Sequence, residues 1–405
     1  MPNKIEPSEC ADTGNQPQIP EQGMPILRVL YFFYFAAFGV IITYLNVFLR
    51  DTGLSGVQIG FLSFILPLVS IVTAPLWGIW SDRIGRVRRL LLISSIGIIL
   101  ASLGIGLARS FVWWIFFIIF FALFDSSVLP IMDSTTLRNL GKNSNRFGRE
   151  RVWGSVGFIL TVWVVGLILD TVGSQWYFLF HILAILCAII ALNWLPDQKP
   201  KLQPAIRSGI SNLILKKEWI IFSLSLIFIG LGNFSINGFL GIYIKDLGGS
   251  EWLIGSAAAI ATIAELPILF WGENLLNRFG PWKLLMVAFA ATGVRLILYA
   301  AMPTAEWVLP ISLLNSFTFG VYWIATIAFV DHLASVEIKA SAQGMLYAVL
   351  NISRMVAALV SGYLYDIFGA GNLFLVGALF SSFAVLLFWF NKPEIQQQEV
   401  IESLG

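Results

Sequence analysis

Runs of about 20 mostly apolar residues recur along this chain from near residue 25 to near residue 391. At 1.5 Å of helix rise per residue, a run of that length crosses about 30 Å of hydrocarbon. Within hydrocarbon the backbone must satisfy its own hydrogen bonds, which leaves helices and closed barrels. A barrel needs short alternating segments of about ten residues, and the runs here are longer. Composition agrees: 58% of the 405 residues are hydrophobic and 12% are charged, against about 25% charged in a soluble protein. The chain reads as an all-α, polytopic membrane protein.

Twelve transmembrane helices are expected, near 25–49, 56–80, 89–108, 111–137, 150–170, 175–195, 218–244, 252–274, 282–301, 305–332, 338–364 and 370–391. The polar stretch after the sixth, broken by Pro196, Pro200 and Pro204, reads as a linker. The expected organisation is a disordered tail (1–24), a six-helix half (25–195), a linker (196–217), a second six-helix half (218–391) and a second tail (392–405). The first tail lacks a basic region and a cleavage site, so it does not read as a signal peptide.

Lys and Arg set the topology, because cytoplasmic loops collect them. Of the 25, the loops on one side hold only Arg50, Arg109 and Lys245. Arg295 and Arg354 fall inside spans, and the other twenty lie on the side of both termini. Both termini are therefore expected in the cytoplasm, in a plasma membrane, with the bacterial inner membrane the expected one. The halves also repeat. "DRIG" (82–85) matches "NRFG" (277–280) at an offset of 195, and "DTVG" (170–173) resembles "DIFG" (366–369) at 196. Each pair occupies the same loop of its half, which implies parallel repeats about an axis along the membrane normal, as in transporters.

The loop between the second and third spans, "GIWSDRIGRVRR" (78–89), reads G-x-x-x-D-R-x-G-R through Gly78, Asp82, Arg83, Gly85 and Arg86. It resembles the signature loop of the major facilitator superfamily, which implies a major facilitator fold of two pseudo-symmetric six-helix halves. The glycines would permit close approach and a tight turn. Asp82 could take a neighbouring Arg or cap a helix, and the loop could latch the halves in one state. Plain positive-inside charge explains the Arg run but not the placed Asp and glycines.

"FGRERVWGSVGF" (147–158) sets Arg149, Glu150 and Arg151 against a long apolar run. The phrase resembles the start of the fifth helix in the lactose permease type of facilitator, and "RVWGSVGF" also resembles the phenylpropionate-permease branch, as does "ASAQGMLYAV" (340–349). The resemblance implies that Arg151 binds substrate and pairs with the acid eighteen residues earlier, here Asp133. On the residues alone the pair is plausible, since a short 139–149 connection makes the fourth and fifth helices antiparallel neighbours. A guanidinium held by a carboxylate can pass hydrogen bonds to a hydroxyl-rich or anionic solute. The other reading is salt bridging at the membrane surface.

Glu265, Arg295 and Arg354 sit deep in spans eight, nine and eleven, and Asp125 in span four. Each costs at least about 2.5–3.5 kcal/mol at mid-bilayer unless paired or wet, so they should face the interior. Opposite signs suggest that Glu265 pairs with Arg295 or Arg354. Asp125 and Asp133, about 80° apart around one helix, could line one cavity wall. A carboxylate whose solvation changes between states can take a proton from one side and release it to the other; Glu265 is the first candidate and Asp125 the second. The alternative is that these charges are structural ion pairs. The resemblance departs at helix ten: Asn315 and Thr318 stand where the lactose permease type has titratable groups. Arg295 and Asn315 join Asp133 and Arg151 as expected substrate contacts, with Trp153 as a possible stacking wall beside Trp271 and Trp323. His181 and His332 read as interfacial polar residues.

No metal-ligand spacing, disulfide framework or catalytic constellation stands out, so no enzyme, cofactor or metal is expected, and a net charge of +2 argues for no nucleic-acid partner. The expectation is a secondary active transporter, working as a monomer, that moves a small organic solute (sugar, aromatic acid or nucleoside-like) by alternating access with proton symport. A proton-independent uniporter or exporter is the alternative. From another class stands a non-transporting receptor or scaffold on a transporter frame.

Overall fold

The structure, a computed structural model, describes residues 23–84, 86–196, 213–335 and 338–390. Of the tail expected at 1–24, residues 1–22 lie outside these residues while Gly23 and Met24 begin the first helix; the tail at 392–405 and most of the 196–217 linker also lie outside. Among the described residues, ten helical elements are long and apolar enough to cross a membrane. Two of them, Glu251–Ala300 and Lys339–Phe390, run to 50 and 52 residues. Helices of that length would span about 75 Å, far more than a bilayer. Each is broken at one glycine in the left-handed region, Gly280 (φ 72°) and Gly369 (φ 74°). Divided there, the ten elements become twelve segments.

We label them α1 (Gly23–Asp51), α2 (Gly56–Ile84), α3 (Val87–Leu107), α4 (Phe111–Leu140), α5 (Phe147–Val172) and α6 (Tyr177–Leu192). The second half holds α7 (Lys217–Asp246), α8 (251–279), α9 (281–300), α10 (308–333), α11 (339–368) and α12 (370–390). The repeated glycines now have a physical reason. Gly173, Gly280 and Gly369 all take positive φ, where only glycine turns a helix end without strain. The short repeat motifs therefore mark chain reversals.

Buried apolar residues form two clusters. The larger joins the first half to one end of the second, through residues such as Tyr44, Val47, Phe239, Ile254 and Tyr365. The smaller lies wholly in the second half, around Phe222, Phe289, Phe329 and Phe388, toward the opposite end. The core is thus continuous between the halves at one end only, called here the closed end. Backbone contact there is tight: a Cβ on Gly60 would lie 2.4 Å from the Ala358 carbonyl, and one on Gly255 2.2 Å from that of Val162. These contacts pair α2 with α11 and α5 with α8, the combination a two-fold related pair of repeats requires.

Two carboxylates pin the same end. Asp366, at the end of α11, accepts from the backbone of Gly56 (2.6 Å) and Val57 (2.8 Å) at the start of α2. Asp170, at the end of α5, accepts from Trp252 N (3.0 Å) at the start of α8. A helix N-terminus carries unpaired N–H groups and a partial positive charge, so a carboxylate there is favourable. Asp170 and Asp366 are the acids of the "DTVG" and "DIFG" repeats, and each caps a helix of the other half. Asn46 adds a bond to Gly238 O (3.1 Å). Among the described residues, no hydrogen bond or ion pair joins the halves at the opposite, open end.

Candidate functional site

The opening phrase of α5 splits its three charges. Glu150 is buried and accepts a fork from Arg28 of α1, at 2.5 Å from Nε and 2.9 Å from Nη2. Arg149 is exposed. Arg151 reaches Asp133 of α4, with Nη1 3.4 Å from Oδ2. Asp133 Oδ1 accepts from the Tyr31 hydroxyl of α1 at 2.7 Å, and the Arg151 guanidinium lies 5.6 Å over the Phe35 ring. The expectation that α4 and α5 are close neighbours needs correcting: α5 packs on α1 and α8 instead. Gly154 and Gly157 cause this, since a Cβ on Gly157 would meet the Phe32 carbonyl at 2.1 Å. Arg151 and Asp133 therefore meet across the face of α1. The single long contact leaves most of the guanidinium fork free, and its side chain is 40% exposed.

In the second half, Arg295 of α9 is buried at 4% exposure. Its Nη1 donates to Asn315 Oδ1 (2.5 Å) and Thr318 Oγ1 (2.8 Å), and Nε and Nη2 to the Tyr299 hydroxyl (3.1 and 2.9 Å). Asn315 Nδ2 donates onward to Glu265 and to Ala261 O. The expected direct ion pair of Glu265 with Arg295 or Arg354 is not formed. Asn315 stands between the first two as a neutral bridge, its amide spent on both sides. The local cause is a break in α10. Val308–Ser312 is α-helical, Ser316–Val321 is a π turn, and Tyr322–Leu333 resumes the α-helix. The wider turn lets Asn315 and Thr318 converge on one nitrogen; single π turns of this kind are frequent at functional sites.

Arg354 forms no ion pair with the described residues. It is exposed near the middle of α11, and its electrostatic neighbours are the phenols of Tyr322 and Tyr347. Tyr347 in turn meets the Trp323 ring at 6.2 Å. Hydrocarbon exposure at that depth would cost at least about 2.5–3.5 kcal/mol, which a position facing water in the space between the halves would avoid.

Three other expectations are corrected. Trp153 is not a wall of that space. It is 46% exposed, on one helical stripe with Leu160, Val164 and Leu167, and lines an outer groove with Val29, Phe32 and Phe33. Two residues from Arg151 is about 200° of rotation, which turns it away. His181 is not interfacial: it is 2% exposed, with its ring 5.9 Å from Phe121. Gly78 supports no close helix approach, since a Cβ there would meet open space. In the same loop Arg83 and Arg86 are exposed, while the Asp82 side chain and Gly85 lie outside the described residues. Asp125 lines a cavity of α1, α3, α4 and α6 with His181, separated from the Asp133 contact by the Phe35 side chain.

Sequence reasoning missed Tyr31, Phe35, Arg28, Tyr299 and the two capping aspartates. The i, i+4 spacing of Arg295 and Tyr299 was a usable signal, as was the recurrence of Asp before the repeated glycine. Nothing in the sequence marked Tyr31 or Phe35 among the neighbouring aromatics.

Two helical halves, one with a charged cluster at Asp133 and Arg151 and the other with a charged and amide-bridged cluster at Glu265, Asn315 and Arg295, joined at one end only, define a polytopic membrane protein of transporter architecture. The sequence model of the MFS_1 like family matches residues 25–376, and the chain belongs to that family of transporters. It is similar to maltose permease of Geobacillus stearothermophilus, 26% identical over 365 residues, covering 89% of this chain and 93% of the relative. It is also similar to a probable 3-phenylpropionic acid transporter of Escherichia coli (strain K12), 24% identical over 366 residues, covering 85% and 92%. The crystal structure of the nucleoside transporter NupG has the same fold, with a TM-score of 0.78 at 20% identity, covering 91% of this chain and 98% of that one.

Proposed function

We propose that this protein is a secondary active transporter that imports a small organic solute by alternating access with proton symport, acting as a monomer. Its termini face the cytoplasm, so the closed end is the outer one and the structure corresponds to an inward-open state. The observation that carries the reading is the pair of polar clusters, Asp133–Arg151 in one half and Glu265–Asn315–Arg295 in the other, beside a seam sealed only at one end. The seal consists of helix caps, the hydrogen bond from Asn46 to Gly238 O, the Arg50 guanidinium over the Tyr365 ring and apolar contact, all of which can part and re-form. Arg151 supplies the free fork for the solute, and Arg295 fixes Asn315 and Thr318 rather than reaching far itself. Glu265, held by Asn315 rather than by a cation, is the group suited to take a proton in one state and lose it in the other.

The relatives named above carry a disaccharide, an aromatic acid and nucleosides. Arg354 beside Tyr347 and Trp323 favours the aromatic acid here, because an unpaired cation next to two stacking rings matches a carboxylate on an arene. The test is uptake into proteoliposomes of maltose, 3-phenylpropionate and uridine, each with and without an inward proton gradient. Accumulation of 3-phenylpropionate driven by the gradient supports the proposal in full. Uptake indifferent to the gradient removes symport and leaves a uniporter. A preference for maltose or uridine removes the role given to Arg354.

A further inference from the structure

Behind the Asp133–Arg151 contact lies a second polar site that the solute reading does not use. A cavity of about 50 Å³ is lined by α1, α3, α4 and α6. Its walls are mostly apolar, with Phe38, Ile98 and Leu129 among them; the polar side chains that line it are Tyr34 of α1, Asp125 of α4 and His181 of α6. His181 Nδ1 lies 3.0 Å from the Ala37 carbonyl. A carbonyl only accepts, so Nδ1 carries the hydrogen, and Nε2 is left as an acceptor. That Nε2 is buried with no partner. Asp125 likewise makes no hydrogen bond or ion pair with the described residues. Two residues whose polar groups normally demand partners thus line one small chamber, with room for about three to five waters at roughly 10–15 Å³ each.

We infer that Asp125 and His181 form a proton-binding site, linked through water in this cavity, that holds one exchangeable proton inside the first half. Among the described residues, the lining supplies no competing charge. From α1 the titratable neighbour is Tyr34, whose hydroxyl is taken up by Ser95 of α3 at 2.5 Å. From α4 it is Asp125, from α6 His181 itself, and no Lys or Arg lines the chamber. With the proton bound, on either group, the site is neutral as an acid–imidazole pair or as a carboxylate–imidazolium pair. Without it, one bare negative charge remains in an apolar pocket. Two groups that share a proton in this way titrate as a unit.

The site also touches the solute cluster. Phe35 lines the chamber and its ring carries the Arg151 guanidinium. Asp125 and Asp133 lie on the same helix on either side of Pro130, where the ladder lacks one backbone donor. A change of charge at Asp125 is therefore transmitted to Arg151 through one ring and one weakened helical turn. This deepens the symport reading and rests on it for its purpose, though not for its existence.

The test reads the proton directly. The chain has two histidines, so His332→Gln leaves His181 alone. Full-length protein with this change, ¹⁵N-labelled at histidine and free of a histidine tag, is placed in lipid nanodiscs and titrated from about pH 5 to 9 by NMR. The expected result is a neutral Nδ1–H form that titrates reversibly. Asp125→Asn displaces its midpoint by at least about one pH unit, while Asp133→Asn moves it by less than about 0.3. Should Asp125→Asn fail to fold, replacing both groups, Asp125→Leu with His181→Leu in the unlabelled protein, is expected to take up about one proton fewer over the same range in a dye-monitored acid titration. A flat His181 signal, an equal response to Asp133→Asn, or an unchanged proton count overturns the site, whatever uptake shows. If uptake ignores the proton gradient while the titration keeps its dependence on Asp125, symport fails and the proton site stands.

Discussion

The two inter-half caps make a quantitative test of how the closed end is held. Asp366 offers both oxygens to the first N–H groups of α2, at 2.6 and 2.8 Å, and Asp170 offers one to the start of α8 at 3.0 Å. Asn at either position keeps one acceptor and the side-chain shape but loses the charge and turns an N–H group toward the helix end. An N-cap contributes about 0.5–2 kcal/mol and a charge at a helix N-terminus about 0.3–1. Both contacts are solvent-exposed in part, which places the loss near the lower end, about 1 kcal/mol per site. That is about a fivefold shift toward opening for each variant and about 30-fold for both, if the distant sites add. With Cys10 and Cys187 replaced by Ser, spin labels at Gln175 and Asn372 report the separation of the halves at this end by pulsed EPR. Asp170→Asn combined with Asp366→Asn is expected to populate a longer distance, and each single variant an intermediate amount. An unchanged distance distribution in the double variant would refute the idea that these caps hold the end closed.

Arg151→Lys is expected to weaken solute affinity at least tenfold in counterflow, because Lys has no planar fork to share between Asp133 and a ligand; wild-type affinity counts against Arg151 as the anchor. Glu265→Gln retains the bond from Asn315 and the fold, and is expected to exchange solute across the membrane but not accumulate it against a gradient; full accumulation moves proton coupling elsewhere. Gly157→Ala sets a methyl 2.1 Å from the Phe32 carbonyl and is expected to cost about 1–3 kcal/mol as overpacking, read as a lower melting temperature in detergent. Gly148→Ala meets nothing within 4 Å and serves as the control; equal melting temperatures for the two would contradict the α1–α5 contact.

What the sequence determined by itself is what depends on chain-local physics. The length of each apolar run decides that a segment crosses the membrane. The bias of Lys and Arg separates the two faces, and the repeated Asp and Gly before a reversal show that the halves share one plan. These signals survive because hydrocarbon allows the backbone so few alternatives. The Arg151–Asp133 pairing was legible through resemblance and through the short 139–149 connection, but the direct packing of α4 on α5 inferred from that connection is not what the structure uses.

Tertiary structure alone decided which way each helix is turned about its own axis. A helix that is apolar on nearly every side carries no stripe to fix that rotation. So Trp153 and Arg151, two residues apart, gave no hint that one faces outward and the other inward. His181 looked interfacial until α1 and α4 closed over it. Asn315 was a plain amide in a polar turn until the π turn of α10 set it between Arg295 and Glu265. Rotation is settled by where glycines let neighbouring backbones approach, as at Gly157 against Phe32, and that depends on residues more than a hundred positions away.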